Sequence, residues 1–315
     1  MSPKAPRNPL ISAGLVLATY WIWLSAFHLV GMAVVTYGML GATPGVREIA
    51  DQYYSNAWTI QGWGSLLFFF AAWGLSVADP GPWSEMSRSS WKTHFLPPFL
   101  RAAGASTAWI LLLMAATPFQ YLGAGFSWSE APWSALTWLT RCVGWFGWAI
   151  GDEAVFRKLL LSRLRRWFSS RGDETPWVRH GDLLSVLVVT ALGVLTRAFG
   201  QNLGLSQTLT LTLLGLVLGF RVCSGRHYLG GAAMLAASAL VFQGLFSLPL
   251  LGQEQTGLWL LKFSPASSPS FSPFPELMRF ASGGAGGPAS SGILQLFLLG
   301  ALAKILWTLR GGSLR

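Results

Sequence analysis

Asp152 and Glu153 stand side by side in a stretch that is otherwise apolar, and Arg157 follows Glu153 by four residues. Adjacent carboxylates can activate a water by general-base catalysis or pass a proton along a relay. A guanidinium nearby can hold one of them charged or steady a developing negative charge. Spacing of four puts Glu153 and Arg157 on one helical face. A second group, Thr196 and Arg197, offers a hydroxyl and another cation in a later apolar run. Ionisable side chains at bilayer depth cost at least a few kcal/mol each, so they are usually kept for a function or for a partner.

Depth follows from what surrounds them. Between Ala154 and Leu164 there is neither Gly nor Pro, and the basic cluster that would mark the headgroups begins only at Arg163. Asp152 to Arg163 is eleven residues, roughly 16 Å of helix. Arg197 lies fifteen residues beyond Asp182, roughly 22 Å along the next helix. Consecutive helices joined by a short connection pack as antiparallel neighbours, which brings Arg197 within reach of Asp152, Glu153 or both. An unpaired carboxylate at this depth would take up a proton, so a cationic partner is the natural way to keep charge there.

The elements that must hold these residues are membrane helices. Apolar residues make up 52% of the chain and charged ones 11%, with a mean hydropathy of +0.47, a composition that excludes a soluble domain with one sticky helix. The pattern predicts an all-α, polytopic transmembrane bundle of about eight spans, near 10–35, 58–78, 99–117, 135–162, 182–200, 205–223, 229–251 and 292–310. Lys4, Arg7, Arg88, Lys92, the Arg163–Arg179 cluster, Arg221, Arg226, Arg310 and Arg315 alternate with loops carrying only Arg47, Lys262 and Arg279. That bias predicts both termini in the cytoplasm. The net charge of +10 is then mostly an orientation signal that also favours anionic headgroups in general. No soluble basic domain is present to bind nucleic acid.

Four regions follow. Residues 1–130 hold three N-terminal spans, residues 131–251 a four-helix core, residues 252–291 a Pro/Ser/Gly-rich outer loop, and residues 292–315 the last span. The 252–291 composition predicts a mobile tether. Pro80, Pro82, Pro97 and Pro98 predict that residues 79–98 break any helix. Cys142 and Cys223 read as small packing residues. With no Gly-rich nucleotide motif and no zinc spacing, neither cofactor nor metal is expected.

Asp152-Glu153-x-x-Phe156-Arg157, followed by Leu159-Leu160-Leu161-x-x-Leu164, resembles the first motif of the CAAX-protease and bacteriocin-processing (CPBP, or Abi) family of glutamic-type intramembrane proteases. Leu214 to Arg221, with the turn at Gly225 and the apolar helix beyond it, is similar to that family's penultimate core segment, so the likeness covers roughly residues 130–250. It implies a CAAX-protease-like core in a bacterial inner membrane. In the family the first Glu of the motif activates water while the second and the Arg support it, and two later motifs, Phe-x-x-x-His and His-x-x-x-Asn, orient the water and bind the oxyanion. Carried over by position, Asp152 replaces the base with a carboxylate one methylene shorter. Thr196, followed by Arg197, stands where the first His belongs. The segment Met234–Phe242 contains neither His nor Asn. His28, His94, His180 and His227 all lie elsewhere, and Gln243 and Asn202 match no motif position.

Loss of one oxyanion donor typically costs roughly 3–4 kcal/mol of transition-state stabilisation. The resemblance therefore implies a catalytically degenerate homologue, whose partners are the lipid bilayer and either a membrane-anchored client or an active relative. Two alternatives stay open. One is an active endopeptidase with Asp152 or Glu153 as base and Thr196, Arg197 or Gln243 as substitute donors. The other is a proton-coupled carrier using the acids as a relay, against which stands the lack of an inverted repeat.

Overall fold

The computed structural model describes residues 8–38, 45–77, 91–116, 119–124, 131–169, 180–198, 203–246, 248, 258–263 and 291–312. The chain is an all-α helical bundle. Its helices are α1 (Pro9–Gly38), α2 (Val46–Val77), α3 (a π-helical turn Trp91–Phe95 running into Leu96–Ala116) and α4 (Ala131–Glu153, a π-helical segment Ala154–Leu160, then Leu161–Ser169). They continue with α5 (His180–Ala198), α6 (Leu205–Cys223), α7 (Leu229–Ala239 with a π-helical end Leu240–Leu245) and α8 (Gly292–Gly312). Among the described residues α1, α3, α5, α6 and α8 are long and apolar enough to cross a membrane. This agrees with a multi-pass membrane protein set in a lipid bilayer.

Of the helices outside that group, α4 and α7 hold much of the buried core. α4 is the axis. One of its sides joins Trp148, Ala149, Ile150 and Leu159 to Leu229, Ala232, Ala233 and Ala236 of α7. The other joins Val155, Phe156, Leu160 and Leu161 to Tyr20 and Leu24 of α1 and to Val186 and Val189 of α5. A helix surrounded by others loses its need for a uniformly apolar surface, and so α4 can carry charge. α7 is small and apolar on every side, and residues 229–233 are all buried, as expected of a helix with no lipid face.

Close approach depends on missing side chains. A Cβ built at Gly62 of α2 would lie 1.9 Å from the Gly144 carbonyl oxygen of α4, and one at Gly151 would lie 2.5 Å from that of Ser65. Small residues at such crossings let membrane helices touch backbone to backbone. At the far side, Gln295 of α8 donates through Nε2 to the Ser206 backbone carbonyl at 3.1 Å and to Ser206 Oγ at 2.9 Å, seating α8 on α6.

Two sequence expectations need correction. Pro97 and Pro98 do not end a helix, because α3 begins at Trp91 and runs through them. The wider π turn ahead of them absorbs the missing N–H and the ring clash that a regular α turn would not. Nor is the 252–291 region wholly irregular. Trp259–Phe263 (β2) pairs antiparallel with Phe119–Ala124 (β1), in register Phe119 with Phe263 and Gln120 with Lys262, with an irregularity between Tyr121 and Gly123. The five-residue run Trp-Leu-Leu-Lys-Phe is apolar enough to pair once a second extended segment is near, and regional composition hid it. Residues 252–257 and 264–290, and Asn202, lie outside the described residues.

Candidate functional site: a buried charge cluster among six helices

Asp152 and Glu153 end the first α-helical stretch of α4, immediately before its π-helical segment. Leu161 N–H reaches back to the Phe156 carbonyl, five residues earlier. Such π segments recur at functional sites because they redirect side chains within a continuous helix. No Gly or Pro announces this one. Adjacent residues on a helix point about 100° apart, and the two acids accordingly face different neighbours. Both are 0% exposed, and Arg157 and Arg197 are each 3% exposed, so all four charges are held away from solvent.

Asp152 is the more heavily bonded. Tyr20 of α1 donates its hydroxyl to Oδ1 in a very short contact. Ser65 of α2 lies 2.7 Å from the Tyr20 hydroxyl and donates to the same Oδ1 at 3.4 Å. Arg197 of α5 donates through Nε to Oδ2 at 3.2 Å. The guanidinium of Arg197 also lies over the Trp148 ring, 5.2 Å from its centroid, a cation–π contact that strengthens as water is excluded. Four helices thus converge on one carboxylate.

Glu153 turns toward α6 and α7. Arg157 Nε lies 3.8 Å from Oε1, an ion pair without a hydrogen bond, since neither carboxylate oxygen has a hydrogen-bond partner among the described residues. Arg157 Nη2 donates instead to the Gly215 carbonyl of α6 at 3.1 Å, while its Nε and Nη1 stay unbonded. A Cβ at Gly231 would sit 3.0 Å from Glu153 Oε2, so bare backbone of α7 borders the carboxylate. The Thr190 hydroxyl and both amide atoms of Gln61 are likewise buried without hydrogen bonds.

The structure therefore brings together Asp152, Glu153, Arg157 and Arg197. It does not bring Thr196 to them. Thr196 Oγ1 accepts from Trp21 Nε1 at 2.7 Å and donates to the Leu192 carbonyl at 2.8 Å, which fastens α5 to α1. No described hydrogen bond links Gln243 to either acid. His28 is taken up by Tyr53 at 2.8 Å, and His94 stacks on His227.

Tyr20, Ser65 and Trp148 were not singled out from sequence. Tyr20 lies in an apolar aromatic run that reads as lipid-facing, and Ser65 is one small polar residue in a helix. Nothing in their spacing points at a carboxylate 132 and 87 residues away. Among the described residues no group of three or more His, Cys, Asp or Glu side chains is placed to hold a metal ion.

Fold and site together define an all-α, multi-pass helical bundle with a buried, charge-balanced polar centre. Comparison with family models, with curated proteins and with solved structures finds no match.

Proposed function

We propose that this chain is a catalytically silent membrane protein of the CAAX-protease-like type, which holds a membrane-anchored client, or partners an active relative, without cutting. The observation that carries the reading is the state of Asp152, at the position of the family's water-activating acid. A base must offer a free lone pair to a water aimed at the scissile carbonyl. Tyr20 and Ser65 take Oδ1 of Asp152 and Arg197 takes one site on Oδ2. These are three of about four acceptor sites, and the residue is 0% exposed, which closes the fourth to bulk water. Thr196, at the position of the first missing His, is spent on Trp21. The cluster has the form of an interhelical clamp.

The test is incubation of purified protein, in detergent and in liposomes, with lipidated C-terminal peptides and with single-span peptides. No cleavage is expected. Cleavage that disappears in both Asp152→Asn and Glu153→Gln would overturn the proposal.

One observation favours a second reading. Glu153 retains two oxygens without hydrogen bonds beside an incompletely bonded guanidinium, which is what a residual endopeptidase with Glu153 as base would need. Its signature is activity lost in Glu153→Gln but kept in Asp152→Asn.

A further inference from the structure

A separate constellation lies at the basic end of the bundle. Arg221 stands in the last turn of α6, after which the chain turns through Gly225, at φ +83, and enters α7 at Leu229. The turn folds the Arg221 guanidinium back over the start of α7. A Cβ at Gly230 would meet Arg221 Nη2 at 3.1 Å and the His94 carbonyl oxygen at 3.6 Å, so glycine there admits both the arginine and the first turn of α3.

The bonding of Arg221 is poor. Nη1 has Met234 Sδ at 3.1 Å, and the buried Nε has no hydrogen-bond partner. A thioether is a weak acceptor. Arg226 follows in the turn, its backbone N–H donating to the Arg221 carbonyl at 3.2 Å. Arg101 stands seven residues, about two helical turns, beyond His94 on α3, so the charges of both act on Arg221. Among the described residues none of the three arginines forms an ion pair. The N-terminal end of α7, with its positive partial charge, lies against the same guanidinium. His94 and His227 stack alongside, centroids 4.9 Å apart and planes within 2°.

Three guanidinium groups beside a helix N-terminus repel one another, and an anion shared between them removes that cost. Planar N–H forks match phosphate oxygens best. The surroundings select the source of that phosphate. Arg101 is exposed, and on the same helix Leu96 and Leu100 are 50% and 59% exposed. α3 is also one of the helices apolar enough to cross a membrane. A ligand reaching the arginines along that face meets hydrocarbon first. We infer that Arg101, Arg221 and Arg226 form a site for the phosphate of an anionic phospholipid, with its acyl chains along the Leu96–Leu100 face of α3.

The experiment is native mass spectrometry of the full chain in detergent, titrated separately with phosphatidylglycerol, phosphatidylcholine and inorganic phosphate. Phosphatidylglycerol should be retained preferentially. Arg101→Gln with Arg226→Gln should weaken that retention about 30-fold, on the order expected for two surface cations, and leave phosphatidylcholine unchanged. Both positions are exposed, so this double variant should fold even if Arg221→Gln does not. Arg221→Gln, where it folds, should lose the preference altogether. Equal retention of the two lipids, or wild-type retention by the double variant, overturns the site. Displacement of bound phosphatidylglycerol by millimolar inorganic phosphate overturns the lipid assignment in favour of a soluble phosphate ligand.

Discussion

At the residue scale, the hydrogen bonds around Asp152 differ enough to rank. Truncating one partner of a buried ion pair leaves the other charge uncompensated and typically costs about 3–5 kcal/mol. Asp152→Ala, which strands Arg197, should therefore cost the most. Tyr20→Phe removes one hydrogen bond to a charged group, about 1.5–3 kcal/mol. Ser65→Ala should cost least, because its contact with Asp152 is long at 3.4 Å and its 2.7 Å bond to Tyr20 joins two neutral hydroxyls, about 0.5–1.5 kcal/mol. Unfolding in graded SDS or by heat in mild detergent would give the order, and a loss for Ser65→Ala above that for Asp152→Ala would refute the clamp. Asp152→Leu with Arg197→Leu should cost less than the sum of the singles, since neither charge is stranded. Spacing made this pair legible: Glu153 to Arg157 is a helical repeat, and depth along two antiparallel helices brought Arg197 to the acids. The Tyr20 and Ser65 contacts were not legible, because they depend on how α1 and α2 rotate against α4, and an apolar run with few polar markers does not encode its rotation.

At the element scale, α4 and α5 are fixed in register at two points. Arg165 Nε and Nη2 grip Asp182 Oδ1 and Oδ2 at 2.6 and 3.0 Å near the basic end, and Arg197 reaches Asp152 farther in. Partial exposure of the outer pair (35% and 18% for the two side chains) limits its contribution to about 1 kcal/mol or less, so the inner pair carries more of the registration. The α2–α4 crossing is set by absence of side chains instead. Gly62→Val should abolish the fold or separate the helices, because a Cβ there meets carbonyl backbone, whereas Gly104→Ala, with nothing within 4 Å, should stabilise by about 0.5–1 kcal/mol through helix propensity. Thermal unfolding of the two variants reads both effects with opposite signs. The β1–β2 pairing has its own check. Gln120→Cys with Lys262→Cys should cross-link on mild oxidation, while Gln120→Cys with Trp259→Cys, out of register, should not. Helix positions were readable from hydropathy, and the glycines as possible crossings only in retrospect. The π segment after Glu153 had no local signal, because a π insertion is set by the packing it satisfies rather than by a helix-breaking residue.

At the scale of the whole molecule, polarity is sorted by contact with lipid. α1 and α8 present Ile22, Leu29, Phe297 and Trp307 to the outside, each at least 68% exposed. Residues 147–157 of α4, which include the acids, are all buried. Among the described residues α1, α3, α5, α6 and α8 are long and apolar enough to cross unaided, while α7 and the apolar part of α2 are apolar but shorter and α4 carries the buried charges. If every helix crosses, the even count returns the chain to its starting side and sets Lys92, Arg163 and Arg226 together there, opposite Arg47 and Lys262. Single cysteines placed at Gly45, Lys92, Arg226 and Lys262, in a background with Cys142 and Cys223 changed to Ser, test that path with a membrane-impermeant maleimide on sealed cells. Gly45→Cys and Lys262→Cys should label from outside, and Lys92→Cys and Arg226→Cys only after permeabilisation. Labelling of Lys92→Cys and Lys262→Cys from the same side would mean that a helix between them fails to cross. α4 would then be the first to suspect, since its buried charges tolerate a position against protein but gain nothing from lipid.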